Sequence, residues 1–166
     1  MALHYILDGY NITHKLTSLQ VGSIQQSRDR LLRYIHTKHP QGSLKNKVTI
    51  VFDGSNEVLD YPQDTHPIDV VFTHNISADD HIIQIVKNST NPKIIVVVSD
   101  DKEVQNRALL LDAKVIGVKE FLKPYKSETN KVVAERKPRS NKTDKISLTI
   151  TELREIENEL LDRTQA

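Results

Sequence analysis

The chain has 166 residues, is 37% hydrophobic and carries a formal net charge of +1, which is enough apolar material for one buried core and a cramped length for two. It contains no cysteine, so disulfide scaffolds and thiolate metal centres are excluded and a reducing compartment suits it. No charged leader with an apolar signal segment opens the chain and no apolar run nears membrane-spanning length, so the expectation is a cytoplasmic protein with no membrane contact.

Taken in order, Leu3, Tyr5, Ile6 and Leu7 form a short apolar run stopped by Asp8-Gly9-Tyr10-Asn11. Such a run suits a central parallel strand, and in open α/β sheets the carboxyl ends of such strands carry the ligand-binding residues. Gly9 would let the chain turn between Asp8 and Asn11. A polar stretch leads to Ser23, which with Gln26 has the form of a capping box, and Ile24, Leu31, Leu32 and Ile35 recur at helical spacing to about His36. Residues 47–52 make a second β-branched run that ends in Asp53-Gly54. Residues 55–67 read as a loop and residues 68–73 as a third strand, at an edge.

Ser77-Ala78-Asp79-Asp80 opens a helix through Ile82, Ile83 and Val86. Residues 93–98 are the most continuous β-branched run and deliver Ser99-Asp100-Asp101. A helix through Val104, Ala108 and Leu111 follows, then a short strand at Val115 and Ile116 and a further apolar stretch over residues 118–122. This alternation predicts an α/β fold with a mostly parallel, doubly wound sheet and helices on both faces. Residues 1–124 would form the main domain and residues 125–147 a basic loop. Residues 148–166 would form a C-terminal helix opened by Thr149 and Glu152, with Leu148 and Leu153 as a staple.

Four segments thus bring acids towards one rim: Asp8, Asp53, the pair Asp79 and Asp80, and the pair Asp100 and Asp101. Helix capping is the plain alternative, with Ser77 as one N-cap and Asp100 as another. Capping contributes about 1 kcal/mol. Ionised carboxylates brought within about 5 Å cost roughly 3 kcal/mol per pair. A true cluster therefore implies raised pKa values or a bound cation, and an all-oxygen set points to Mg²⁺ or Mn²⁺. Such an ion lowers the pKa of a bound water and neutralises charge on a phosphodiester under attack. Asn11 would hold a neighbouring carboxylate, a water or a phosphate oxygen.

Asp8-Gly9-Tyr10-Asn11, Val51-Phe52-Asp53-Gly54, Ser77-Ala78-Asp79-Asp80 and Ser99-Asp100-Asp101 stand in the order and spacing of the NYN domain, a branch of the PIN-like nucleases. The chain resembles its YacP-like group most, from residue 3 to residue 122, with a basic segment and terminal helix also similar to that group. The resemblance implies a Rossmann-like sheet and a metal-dependent endoribonuclease, Mg²⁺- or Mn²⁺-dependent, in a group that includes a ribosome-associated enzyme. By motif, Asp8, Asp79 and Asp100 match the acidic core and Asn11 and Asp53 its supporting positions, with Asp80 and Asp101 as further metal-ligand candidates. Asp101 departs from the pattern, because relatives more often carry a basic or polar residue there.

Residues 123–145 hold eight Lys or Arg against three acids, a local balance of +5 that leaves −4 for the rest. Lys126, Lys131, Arg136, Lys137 and Arg139 are the expected phosphate contacts to RNA, with little sequence choice and strong salt dependence. With only five Tyr and three Phe an extended stacking platform is not expected, and Tyr10 and Tyr125 are the stacking candidates. His14, His66, His74 and His81 could reach the rim. Two other readings compete: a non-catalytic RNA- or ribosome-binding module, and a receiver-type phosphoacceptor using Asp8, Asp53, Ser99 and Lys119.

Overall fold

The computed structural model describes residues 1–20, 22–54, 68–123 and 150–162. In chain order these form β1 (His4–Asp8), α1 (Gly9–Lys15), α2 (Ile24–Lys38), β2 (Lys47–Asp53), β3 (Ile68–Thr73), α3 (Ala78–Lys87), β4 (Ile95–Val98), α4 (Lys102–Leu110), β5 (Lys114–Ile116), α5 (Val118–Leu122) and α6 (Ile150–Asp162). The sheet is wholly parallel with strand order β3-β2-β1-β4-β5. The fold is therefore the expected α/β one, with β3 at an edge. Strand order reverses between β1 and β4, the position at which open α/β sheets bind ligands.

Because both faces are covered, the strands are almost continuously apolar and alternate residue by residue between two cores. Leu7, Val48, Ile50, Phe52 and Val98 pack with Ile12, Leu31, Leu32 and Ile35 on the α1/α2 face. Ile6, Val51, Ile95 and Val97 pack with Ile82, Val86, Val104 and Ala108 on the α3/α4 face. This alternation decides where each rim acid points.

Several local features differ from the sequence expectation. The polar stretch after Asn11 is not simply a connector: α1 begins at Gly9 itself, followed by a 3₁₀ turn at Thr17–Leu19. Gly9 is needed for room rather than for a turn, since a Cβ there would lie 2.3 Å from the Phe52 ring. The N-cap of α4 is Asp101, not Asp100: Asp101 Oδ1 accepts the Glu103 and Val104 N–H groups. Residues 92–94 form a 3₁₀ turn, so β4 starts only at Ile95. The capping box of Ser23 and Gln26 and the Ser77 cap of α3 are present as expected.

Helix α6 packs on the same body, burying Ile156 and Leu160 with Leu16, Leu19 and Leu32. The 55–67 loop, Tyr125, His66, the basic residues Lys126, Lys131, Arg136, Lys137 and Arg139, and the Leu148–Thr149 cap lie outside the described residues. Among the described residues no helix is long and apolar enough to cross a membrane.

Candidate active site

Leu7 is opposite Val98 in the parallel register, so Asp8 and Ser99 leave the sheet side by side at its carboxyl edge. Asp8 shares the parity of Ile6 and so belongs to the α3/α4 side, where Asp79 begins α3 and Asp101 caps α4. Asp8 is 7% exposed and also caps α1, accepting the Asn11 N–H at 3.1 Å. Burial lifts its pKa from the ordinary 3.8 to about 6, and the charges of Asp79 and Asp101 push the same way, against the Asn11 hydrogen bond and His14. Asp79 is raised too, first by burial and then by Asp101.

Asp100 has the parity of Val98 and faces the other side. Its Oδ1 accepts the Val118 N–H at 3.0 Å and its Oδ2 lies 3.6 Å from Lys15 Nζ. Asn11 Oδ1 accepts the backbone N–H of Asp100 at 3.0 Å, so the amide fastens the end of β4 to α1. Gly117 allows this fit, because a Cβ there would sit 3.1 Å from Asp100 Oδ1.

The remaining candidates stand further out. Asp53 is two residues beyond Val51, the partner of Asp8, so it projects past the rim, exposed, with the Thr73 hydroxyl donating to it at 3.4 Å. Asp80 turns to Arg107, whose Nη2 is 2.8 Å from its Oδ1, and this contact holds its pKa low. Ser99 is fully buried and its hydroxyl accepts the Asp101 N–H, an arrangement that does not suit the receiver-type reading. The structure thus couples Asp8, Asp79 and Asp101 by charge and sets Asp100 with Asn11 and Lys15 on the opposite side of the same edge.

A family model for the YacP-like NYN domain matches residues 5–163. The chain belongs to that family. Two solved structures are similar in fold: Rae1 (YacP) from Bacillus subtilis, at 26% identity over 74% of this chain and 72% of that one, and a tryptophan-to-leucine mutant of the same protein, at 25% identity over 72% of each chain. The TM-score is 0.56 in both cases. No curated protein matches. Membership places the chain among nuclease-like, RNA-related proteins.

Within this YacP-like NYN domain, two cations at the rim were not expected from the sequence: Lys15 beside Asp100, and Arg107 beside Asp80 and near Asp79. Lys15 is four residues after Asn11, so both fall on one face of α1. That signal is hidden unless α1 is recognised, and its seven residues include Gly9 and the β-branched Ile12 and Thr13, which are poor helix formers.

The donors suit a hard cation, being carboxylate oxygens, with Asp8 raised by burial and then by Asp79 and Asp101, and Asp79 raised by burial and then by Asp101. Among the described residues no three His, Asp or Glu are gathered as one ligand shell. A hard cation at this edge would be held by Asp8 and Asp79 alone and would keep much of its water.

Proposed function

We propose that the chain is a metal-dependent endoribonuclease that hydrolyses RNA phosphodiester bonds, uses Mg²⁺ or Mn²⁺, and acts on mRNA at the ribosome. One observation carries this reading: a buried carboxylate, Asp8, lies under the influence of two further acids at the switch point of the sheet in a YacP-like NYN domain. Raising a carboxyl from 3.8 to about 6 costs about 3 kcal/mol at neutral pH. That value already includes the Asn11 hydrogen bond of the α1 cap, so capping does not offset the burial, which supports another use for the carboxylate.

The divalent ion supplies water activation and neutralisation of phosphate charge. With a pKa of about 6, Asp8 is mostly ionised at pH 7 and available to hold the ion together with Asp79. Asp101 adds negative charge on the same side, although its Oδ1 already serves α4. On the opposite side Asp100 orients Lys15, a compact cation that can meet a phosphate oxygen of the RNA. Asn11 keeps the two sides in register through the Asp100 backbone. Lys126, Lys131, Arg136, Lys137 and Arg139 are assigned as backbone contacts along the RNA.

Incubating the protein with RNA, free or ribosome-bound, in Mg²⁺, Mn²⁺ or EDTA tests the reading. Cleavage should require the ion and fall to background in Asp79→Asn while RNA binding persists. Equal cleavage by both proteins would sink the assignment, and binding without cleavage under every condition would favour the non-catalytic module. In the same preparation, removing residues 126–142 should flatten the salt dependence of binding by about 0.7 in log–log slope per lost phosphate contact.

A further inference from the structure

Between α1 and the start of α2 lies an open cavity of about 300 Å³ whose lining includes Tyr10, Thr13, His14, Gln20, Ile24 and Ser27. Its size is at the lower end of the roughly 300–1,000 Å³ of small-molecule sites, room for one ring system and its substituents. Among the described residues no Lys, Arg, Asp or Glu lines it, so that lining suits neither a phosphate nor a metal ion. It offers aromatic surface from Tyr10 and His14, whose ring centroids are 6.0 Å apart, and an apolar wall from Ile24, a large aliphatic side chain left 61% exposed. The Thr13 and Ser27 hydroxyls donate to the Tyr10 and Ser23 carbonyls and Gln20 Nε2 donates to the His14 carbonyl, which leaves the oxygens of all three side chains as acceptors for the edge of a base.

The Tyr10 ring is held in place before any ligand arrives. Its hydroxyl is hydrogen-bonded by Arg28, the Arg28 guanidinium lies 5.4 Å from its centroid, and Phe52 packs edge-on at 5.3 Å. A fixed aromatic surface with neutral polar edges is the chemistry that receives an unstacked base of single-stranded RNA. Tyr10 is two residues from Asp8 along α1, and His14 is near enough to Asp8 for its charge to act there. Asp8 caps the amino end of α1, and the cavity lies along the α2 side of the same short helix.

We propose that this cavity is a nucleobase subsite, holding the base next to the phosphodiester that lies at Asp8. The assignment of that phosphodiester rests on the endoribonuclease reading, whereas base binding itself is measurable without cleavage. The test is an NMR titration of ¹⁵N-labelled protein with each of the four nucleoside 5′-monophosphates, with ribose 5-phosphate as the base-free control. At least one nucleotide should shift the backbone amides of Tyr10, Thr13, His14 and Ser27 saturably, and ribose 5-phosphate should not.

Ser27→Phe, which fills the cavity from α2 without touching the rim acids, should weaken that binding roughly five- to hundredfold. On a cleavable RNA it should raise KM and spare kcat. Tyr10→Leu keeps apolar packing on Phe52 while removing the aromatic face, and should weaken nucleotide binding similarly should Ser27→Phe fail to fold. Absent shifts, equal shifts with ribose 5-phosphate, or unchanged affinity in the folded variants would overturn the subsite. Base binding by a protein that cuts no RNA would keep the subsite and remove the nuclease reading, so the two failures are distinguishable.

Discussion

Carboxylates are handled in opposite ways at two places in this molecule. Where α6 docks, the acids meet donors: Glu159 accepts the Thr17 and Ser18 N–H groups at 2.8 and 2.9 Å, Glu152 pairs with Arg30 at 2.9 Å, and Glu157 pairs with Lys38. At the carboxyl edge of the sheet, Asp8 is buried with Asp79 and Asp101 acting on it. The outcomes have opposite signs. For Glu159, burial alone would raise the pKa, but the hydrogen bonds from Ser18 and Thr17 together outweigh it and hold the carboxyl low. For Asp8, burial wins. Around α6 the acids hold the fold together, whereas at the rim, where Asp80, Asp100 and Asp101 also have partners, Asp8 and Asp79 are left with raised pKa values, as the proposed cation site requires.

Asp8→Asn breaks this contrast most directly. A raised carboxyl pKa means that between pH 3.8 and about 6 the folded chain keeps a proton the unfolded chain has released. Wild-type stability therefore falls as pH rises through that window and stays lower above it, by about 3 kcal/mol for this group. Asparagine caps a helix as well as aspartate does, so α1 survives the change. Chemical denaturation across pH 4–8 should find the variant more stable than wild type at pH 7.5, without the downward slope. Added Mg²⁺ should stabilise wild type and leave the variant unmoved, because an ion that binds only the folded site shifts apparent stability by mass action. A variant less stable than wild type at pH 7.5 would count against a strained carboxylate, and persisting cleavage would count against its role.

Strand alternation explains how much of the rim could be read in advance. The apolar runs, the acids at their ends and the Ser23 and Ser77 caps follow from local pattern, and the parallel α/β sheet follows from the order of elements. Which acids face one another depends on parity within β1 and β4, and that is recoverable only once register is known. Asp8 goes with Ile6 and Asp100 with Val98, so the conspicuous Ser-Asp-Asp motif turns its two acids to different sides. Gly9 was open to misreading for another reason. Its purpose is a distant ring, Phe52, about which nothing in the Asp-Gly-Tyr-Asn stretch informs.

Gly9→Ala sharpens that point and ranks second in effect. Gly9 is the first residue of α1, and alanine in a helix is better than glycine by up to about 1 kcal/mol, so local propensity alone predicts stabilisation. The new Cβ would instead lie 2.3 to 2.8 Å from three Phe52 ring atoms. That ring stacks at 5.7 Å on Phe72, meets Tyr10 at 5.3 Å and has the Arg28 guanidinium 5.4 Å from its centroid, which leaves it little room to retreat. Overpacking of this kind costs about 1–3 kcal/mol. A lowered Tm is expected, and a raised one would mean that the aromatic cluster yields.

The smallest expected effect is at the paired region. Glu159→Gln removes the charge and keeps an acceptor for only one of the two N–H groups of the 3₁₀ turn, and because the side chain is partly exposed, solvent limits the loss to about 1 kcal/mol. The pH dependence should run opposite to that of Asp8. With the folded pKa held below its ordinary 4.5, the Glu159 contribution is present above that value and is lost as pH falls through the lowered one. The advantage of wild type over Glu159→Gln should accordingly disappear on acidification, whereas the deficit of wild type against Asp8→Asn should develop as pH rises from about 4 to about 6 and stay constant above. Ile156 and Leu160 stay buried in the variant, so α6 should remain docked and RNA cleavage should be unchanged. A Glu159→Gln protein that lost cleavage while keeping its fold would mean that α6 and the acidic rim are coupled through the 3₁₀ turn and α1, and the division between a holding region and a reacting one would fail.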